Sequence, residues 1–271
     1  MNNFIKRTLT GAVFVTVLLG CTGWNQFSFS TLFFVVTILG VWEFYTLSEK
    51  GGSKPQKMIG TIAGAILFAS SALVSMKFFG HRILLINLPV IFLIFIFELY
   101  SKAEKPFENI AFTLLGIIYA ALPFTLLNYI TTISGTYSYE ILFGVFFILW
   151  SSDSGAYIAG SALGRHKLFL RVSPGKTWEG SIGGAVLAYV TAFIISGWYT
   201  SISRIDWMVI ATILIVIGTL GDLVESLFKR SINVKDSGSL LPGHGGILDR
   251  FDSLILSAPF VFAYLYLIKI F

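Results

Sequence analysis

Nine stretches of about 20 mainly apolar residues run along this chain, and a run of that length is what a helix needs to cross the hydrocarbon of a bilayer. They lie near Phe4–Thr22, Phe27–Leu47, Met58–Met76, Arg82–Tyr100, Glu108–Thr132, Glu140–Ser161, Glu179–Thr200, Asp206–Phe228 and Phe251–Ile270. Only a few residues join the first to the second, which predicts a tight hairpin, whereas a much longer polar link separates the eighth from the ninth. The pattern predicts an all-α polytopic membrane protein with about nine transmembrane helices.

Composition agrees with lipid as the main solvent. The 271 residues are 55% hydrophobic and 12% charged, with a mean hydropathy of +0.82; soluble domains carry about 25% charged residues. The 26 Phe and 6 Trp suit contact with acyl chains, and so apolar a chain is not disordered. A single cysteine, Cys21, excludes a disulfide within the chain. Leu18-Leu19-Gly20-Cys21 after Lys6-Arg7 resembles a lipoprotein signal, but the apolar pattern continues through eight more segments, so Cys21 reads as the end of a first membrane helix rather than a processing site.

Cationic residues in loops set orientation. With the N-terminus in the cytoplasm, the outer side holds only Lys77, Arg82, Arg204 and Lys269, and the other fifteen of the nineteen Lys and Arg fall inside. Removing one helix would flip every later loop and spoil that asymmetry. The expected location is therefore the cell (inner) membrane, multi-pass, with the N-terminus and both of the most polar loops on the cytoplasmic side.

Charge is also uneven along the chain. In the first five segments the few acids sit mostly at helix ends: Glu43, Glu49, Glu98, Glu104 and Glu108. From Trp150 onward Asp153, Asp222 and Glu225 lie within apolar segments, where an ionised group is expensive and usually faces a polar cavity. Residues 1–149 therefore read as transmembrane scaffold and 150–271 as the catalytic region, its helices forming a polar cavity open to the cytoplasm. No internal repeat supports an inverted-repeat transporter.

The densest chemistry lies between Ser226 and Asp252. Asp222, Ser226 and Lys229 share a helix face, with Glu225 spaced to pair with Lys229. Asp249 and Asp252 share a face at the start of the ninth helix, where negative charge is favourable. Convergent carboxylates suit Mg²⁺, which binds through one or two of them and keeps positions for phosphates and water. Lys229, Arg230, Lys235 and Arg250 suit several phosphate charges, Gly245-Gly246 lets backbone N–H groups approach an anion, and His244 can bridge a phosphate or donate a proton.

A second polar loop reads Ser173-Pro-Gly-Lys176-Thr177-Trp-Glu179-Gly180. Gly175-Lys176-Thr177 matches the end of a phosphate-binding loop, but Leu170 stands where that pattern needs glycine and no strand is expected before it. The segment still offers a lysine, two hydroxyls and a helix start; Thr177 reads equally as the cap and Glu179 as a first-turn acid. Asp153, among serines and beside Gly155, reads as a cavity wall. Gly160/Gly164 and Gly180/Gly184 read as close helix packing, and His81 and His166 as loop or interface residues.

These residues resemble the phosphatidate cytidylyltransferase (CDP-diacylglycerol synthase) family. Ser226, Lys229-Arg230, Lys235-Asp236, Pro242-x-His244-Gly245-Gly246 and Asp249-Arg250-x-Asp252 fill its signature, and Ser173–Gly180 and Asp153–Tyr157 are similar to its upstream blocks. The resemblance covers about Trp150 to the C-terminus. It implies Mg²⁺-dependent condensation of CTP with phosphatidic acid to CDP-diacylglycerol and pyrophosphate, with Asp222 and Asp249 on Mg²⁺, a monovalent cation such as K⁺ beside it, and a homodimer. Substrate phosphates would meet Lys229, Arg230, Lys235 and Lys176; Asp236, His244 and Asp252 would orient. Ser173, Thr177, Ser226, Gly245, Gly246, Arg250 and Asp153 complete the substrate-binding set, and no nucleic-acid partner is expected. The rival readings are a CTP-dependent polyprenol or phytol kinase and a small multi-helix transporter.

Overall fold

The computed structural model of the chain describes residues 3–238 and 245–270. Among these residues nine helices follow the nine predicted stretches: α1 Asn3–Trp24, α2 Gln26–Lys50, α3 Lys57–Ser75, α4 His81–Tyr100, α5 Pro106–Ile130, α6 Glu140–Leu163, α7 Trp178–Ile195, α8 Arg204–Ser231 and α9 Leu248–Ile270. Eight of them, α2 to α9, are long and apolar enough to cross a membrane, and α1 carries a shorter apolar stretch, Thr8–Trp24. The protein is an all-α polytopic membrane protein. Asn25 alone separates α1 from α2; its side chain accepts from Ser28 N while Ser28 Oγ accepts from Asn25 N, a reciprocal cap that makes the predicted hairpin tight.

The structure departs from expectation in two local places. Residues ahead of Gly175 form a strand: β1 (Lys167–Phe169) pairs antiparallel with β2 (Ser173–Thr177), Lys167 opposite Thr177. Strands this short carry no readable two-residue period. Helix α7 also stops at Ile195 rather than Thr200, with Ser196-Gly197 following its end.

By contact the chain forms two compact units, Met1–Tyr129 with Ser231–Phe251, and Ile130–Arg230 with Asp252–Phe271. The first unit has an aromatic centre. Phe33 packs against Phe29, Phe124 and Phe251, and Phe124 meets Phe251 edge to face at 5.3 Å. Tyr45 is fully buried where Gly60 and Gly116 leave room for its ring, and its hydroxyl donates to Thr113 O at 2.6 Å. The buried Glu98 accepts from Gln56 Nε2 at 2.6 Å and Asn109 Nδ2 at 2.9 Å, which ties α4 to the starts of α3 and α5.

In the second unit α6 and α7 make the most extensive helix pairing among the described residues. The reason is a stripe of small residues on each. A Cβ on Gly155 would lie 2.7 Å from Gly183 O, one on Gly180 2.9 Å from Ala156 O, and one on Gly184 2.7 Å from Ser152 O. Where lipid supplies no hydrophobic drive between helices, such close backbone approach is the main source of attraction. Helix α8 approaches residues 252–256 of α9 in the same way, with Gly221 against Asp252 O and Leu256. Trp207 is fully buried against Gly144 and donates from Nε1 to Tyr199 O at 3.0 Å.

Replacing Gly155 by Val is expected to lower stability by about 1–3 kcal/mol, the usual penalty for overpacking a tight interface. Thermal unfolding in detergent measures it. Gly20→Ala, where an added Cβ meets nothing within 4 Å, should leave the unfolding temperature unchanged or slightly higher.

Candidate active site

The second unit holds a cavity of about 420 Å³ whose polar walls are Ser152, Asp153, Lys176, Thr177, Ser181, Thr219, Asp222 and Ser253, with Leu149, Tyr157 and Leu214 among the apolar ones. Its size falls in the range of about 300–1,000 Å³ typical of small-molecule sites. Four segments distant in sequence build it. Helix α6 presents Asp153 on its exposed face, and the α6–α7 glycine contact sets the opposite wall. The β1–β2 hairpin carries Lys176, and α8 contributes Asp222 just beyond its π turn, Leu214–Gly218. Such turns are frequent at functional sites.

Lys176 reaches Asp222 with Nζ 2.6 Å from Oδ2, both side chains about a third exposed or less. Ser226 Oγ donates to the other oxygen, Oδ1, at 3.2 Å. Asp153 and Asp222 thus share a partly enclosed space with one ammonium, an excess of negative charge that a cation relieves. Thr177 caps α7 by accepting from Gly180 N at 3.1 Å. Glu179 accepts from the backbone of Arg165 and His166 and pairs with the His166 ring, so it fastens the hairpin base. Both therefore have the structural roles their sequence context allowed, and Lys176 is the member of that segment that faces the acids.

Lys229 pairs with the fully buried Glu225 at 3.2 Å, as the spacing predicts. Arg230, Lys235, Asp236 and Arg250 are exposed. His244 lies outside the described residues. Ser173 stands in β2, opposite Phe169.

The first unit contains the other part of the signature. Asp249, in the first turn of α9, accepts at Oδ2 from Ser237 N (2.9 Å), Ser237 Oγ (2.8 Å) and Gly246 N (3.0 Å). Gly245 adopts φ +80°, and a Cβ there would overlap Asp249; a Cβ on Gly246 would overlap the carboxylate of Glu43. The glycine pair does admit anions to the backbone, and the anions seen there are the protein's own. Glu43 is the residue that sequence reasoning missed. It was expected near a helix end, yet it stands two turns inside α2 and is buried. It accepts from Ser237 Oγ, from Ile247 N at 2.8 Å and from Leu248 N at 3.1 Å. The signal was present: Val41-Trp42-Glu43-Phe44-Tyr45 is an acid within an apolar run, the pattern that flagged Asp153.

Among the described residues no group of three or more His, Cys, Asp and Glu is arranged as a ready-made metal cage. The donor chemistry nevertheless fits a hard divalent cation that uses one or two carboxylates and takes its remaining ligands from water and phosphate: Asp222 already holds a cationic group on Oδ2.

A profile of the cytidylyltransferase family matches residues 5–268. The chain is similar to the phosphatidate cytidylyltransferase of Haemophilus influenzae, 33% identical over 96% of this chain and 98% of the relative. It is similar to that of Bacillus subtilis, 34% identical over 95% of this chain and 96% of the relative. Against that of Staphylococcus saprophyticus it is 42% identical over 62% of this chain and 64% of the relative. The likeness is wider than the signature residues implied, since it takes in the first half of the chain, where Glu43 lies.

Thr177→Ala should destabilise the protein by roughly 0.5–2 kcal/mol through loss of the α7 cap, and Thr177→Ser should restore it. Unfolding temperature in detergent reads both, and an unaltered value for Thr177→Ala would contradict the capping role.

Proposed function

The chain belongs to the cytidylyltransferase family, and from that premise we propose that it is a membrane nucleotidyltransferase that condenses CTP with phosphatidic acid, giving CDP-diacylglycerol and pyrophosphate for phospholipid synthesis. The observation that carries this reading is the cavity in which Lys176 meets Asp222 beside Asp153. A pocket with mixed cations and carboxylates suits a metal–nucleotide complex better than it suits a neutral substrate. The relatives from Haemophilus influenzae and Bacillus subtilis, each matched almost end to end, bear the name of this activity.

In this reaction a phosphate oxygen of phosphatidic acid attacks the α-phosphorus of CTP. A new P–O–P bond forms, the bond to the β-phosphate breaks, and pyrophosphate leaves with the electron pair. The attacking phosphate is ionised at neutral pH, so no strong base is needed. The barrier lies in bringing anions together, so positioning and charge neutralisation do most of the work. Lys176 stands where it can exchange Asp222 for a substrate phosphate. Lys229, Arg230, Lys235 and Arg250 supply further positive charge, Ser173, Thr177, Ser226, Gly245 and Gly246 offer hydrogen bonds, and Asp236, His244 and Asp252 orient.

Asp222 and Asp249 would hold Mg²⁺, with K⁺ as the accompanying cation; bound there, Mg²⁺ would neutralise charge on the phosphates. The two aspartates belong to different compact units, and their assignment to one ion rests on the family resemblance. The charge asymmetry of the loops supports an active site on the cytoplasmic side of the cell (inner) membrane, where CTP is, and the resemblance supports a homodimer.

Asp222→Asn and Asp249→Asn are each expected to lower CTP turnover with phosphatidic acid and Mg²⁺ by about 10²–10³-fold, the range for removing one preorganised electrostatic contact. Assays of purified protein in detergent decide this. Near-normal turnover with unchanged Mg²⁺ dependence in either variant would remove that residue from the metal site.

A further inference from the structure

Glu43 is a buried carboxylate with several hydrogen-bond donors that the proposed reaction does not use. It is 8% exposed, sits in a helix of the scaffold half, and pairs with no Lys or Arg among the described residues. What it holds instead is the start of α9. The first N–H groups of a helix have no partner within it; Glu43 accepts from Leu248 N, the first of α9, and from Ile247 N just before it, while Asp249 accepts from Gly246 N. The same carboxylate receives the Ser237 hydroxyl, and Ser237 also contacts Asp249 Oδ2 through both its N–H and its Oγ. One hydroxyl carries one proton, so it serves only one carboxylate at a time. Glu43 and Asp249 are therefore coupled through Ser237. Gly238 and Gly246 crowd the Glu43 carboxylate so closely that a side chain at Gly246 would displace it.

We propose that Glu43 is a positioning residue for the reaction: through the α9 amides and Ser237 it fixes the plane of the Asp249 carboxylate, and so tunes the affinity of Asp249 for a divalent cation. This rests on the assignment of Asp249 to the metal. It gives the apolar first half of the chain a defined part in the chemistry, since an acid on α2 sets the geometry of an acid on α9. A glutamine at this position keeps the shape but turns an amide N–H₂ towards the backbone N–H groups, so one or more of those groups loses its acceptor.

The test measures cation binding directly, with no substrate, by Mn²⁺ titration of the purified full-length chain in detergent with electron paramagnetic resonance of the free ion. Glu43→Gln should weaken Mn²⁺ binding by about 10–100-fold, the range seen when a residue supporting a metal ligand is lost. Ser237→Ala should weaken it by a smaller factor. The double variant should be no weaker than Glu43→Gln alone, because both changes break one relay. Hydrogen exchange of the segment 245–249 should rise in Glu43→Gln before any metal is added. If Glu43 only stabilises the fold, unfolding temperature falls while the folded fraction binds Mn²⁺ as the parent does, and the proposal is overturned. If Glu43→Gln does not fold, unchanged Mn²⁺ affinity in Ser237→Ala overturns it equally. Asp249→Asn separates the two levels. Loss of Mn²⁺ binding there with none in Glu43→Gln sinks the positioning role alone, whereas full binding in Asp249→Asn sinks the metal assignment and this inference with it.

Discussion

A carboxylate placed inside an apolar helix has little water to turn to, and three such groups among the described residues are answered by the protein itself. Glu43 takes backbone N–H groups from the start of α9 and the hydroxyl of Ser237. Glu98 takes two side-chain amides, and Asp222 takes Lys176 and Ser226. Burying an ion unanswered costs several kcal/mol, so each of these residues dictates where a distant segment must lie. The polar geometry of the chain follows from that requirement more than from any helix propensity.

The second constraint is closeness. Glycine and alanine on α6, α7 and α8 bring backbones into contact where larger residues would hold them apart. The cavity of the second unit is a consequence: its floor is a glycine-lined helix pair, and its charged groups stand on the hairpin and on α6 and α8 at the margin of that contact. In the first unit glycine serves a different end, at Gly60 and Gly116 to admit the Tyr45 ring and at Gly245 and Gly246 to admit two carboxylates. The signature's Gly-Gly pair is thus explained by what the backbone must approach, whether or not a substrate phosphate approaches it as well.

Much of this was legible in the sequence. Nine apolar runs became nine helices, because a span of fixed length in lipid leaves a strong and simple trace. The Glu225–Lys229 pair and the glycine contacts followed from helical spacing, and the Thr177 cap from residue preference at a helix start. The β1–β2 hairpin did not, because three and five residues are too few to show a strand period. Glu43 was read as a helix-end acid, since hydropathy placed the end of α2 three residues early, at Leu47 rather than Lys50, and spacing within α2 says nothing of a partner some two hundred residues away. The Lys176–Asp222 contact was illegible for the same reason: both residues were singled out, but only tertiary structure joins them. Short-range rules read the parts, and the long-range polar pairs that make a site out of them leave no local signal.

The functional account depends on which phosphorus of the nucleotide reaches the lipid. Purified protein in detergent, given phosphatidic acid, Mg²⁺ and CTP labelled at either the α- or the γ-phosphate, decides it by where the label goes. Transfer of the α-label to a lipid product, with the γ-label released as pyrophosphate, is the predicted result. A γ-label in the lipid would make the protein a CTP-dependent kinase, and the absence of any CTP-dependent labelled lipid would contradict the account altogether.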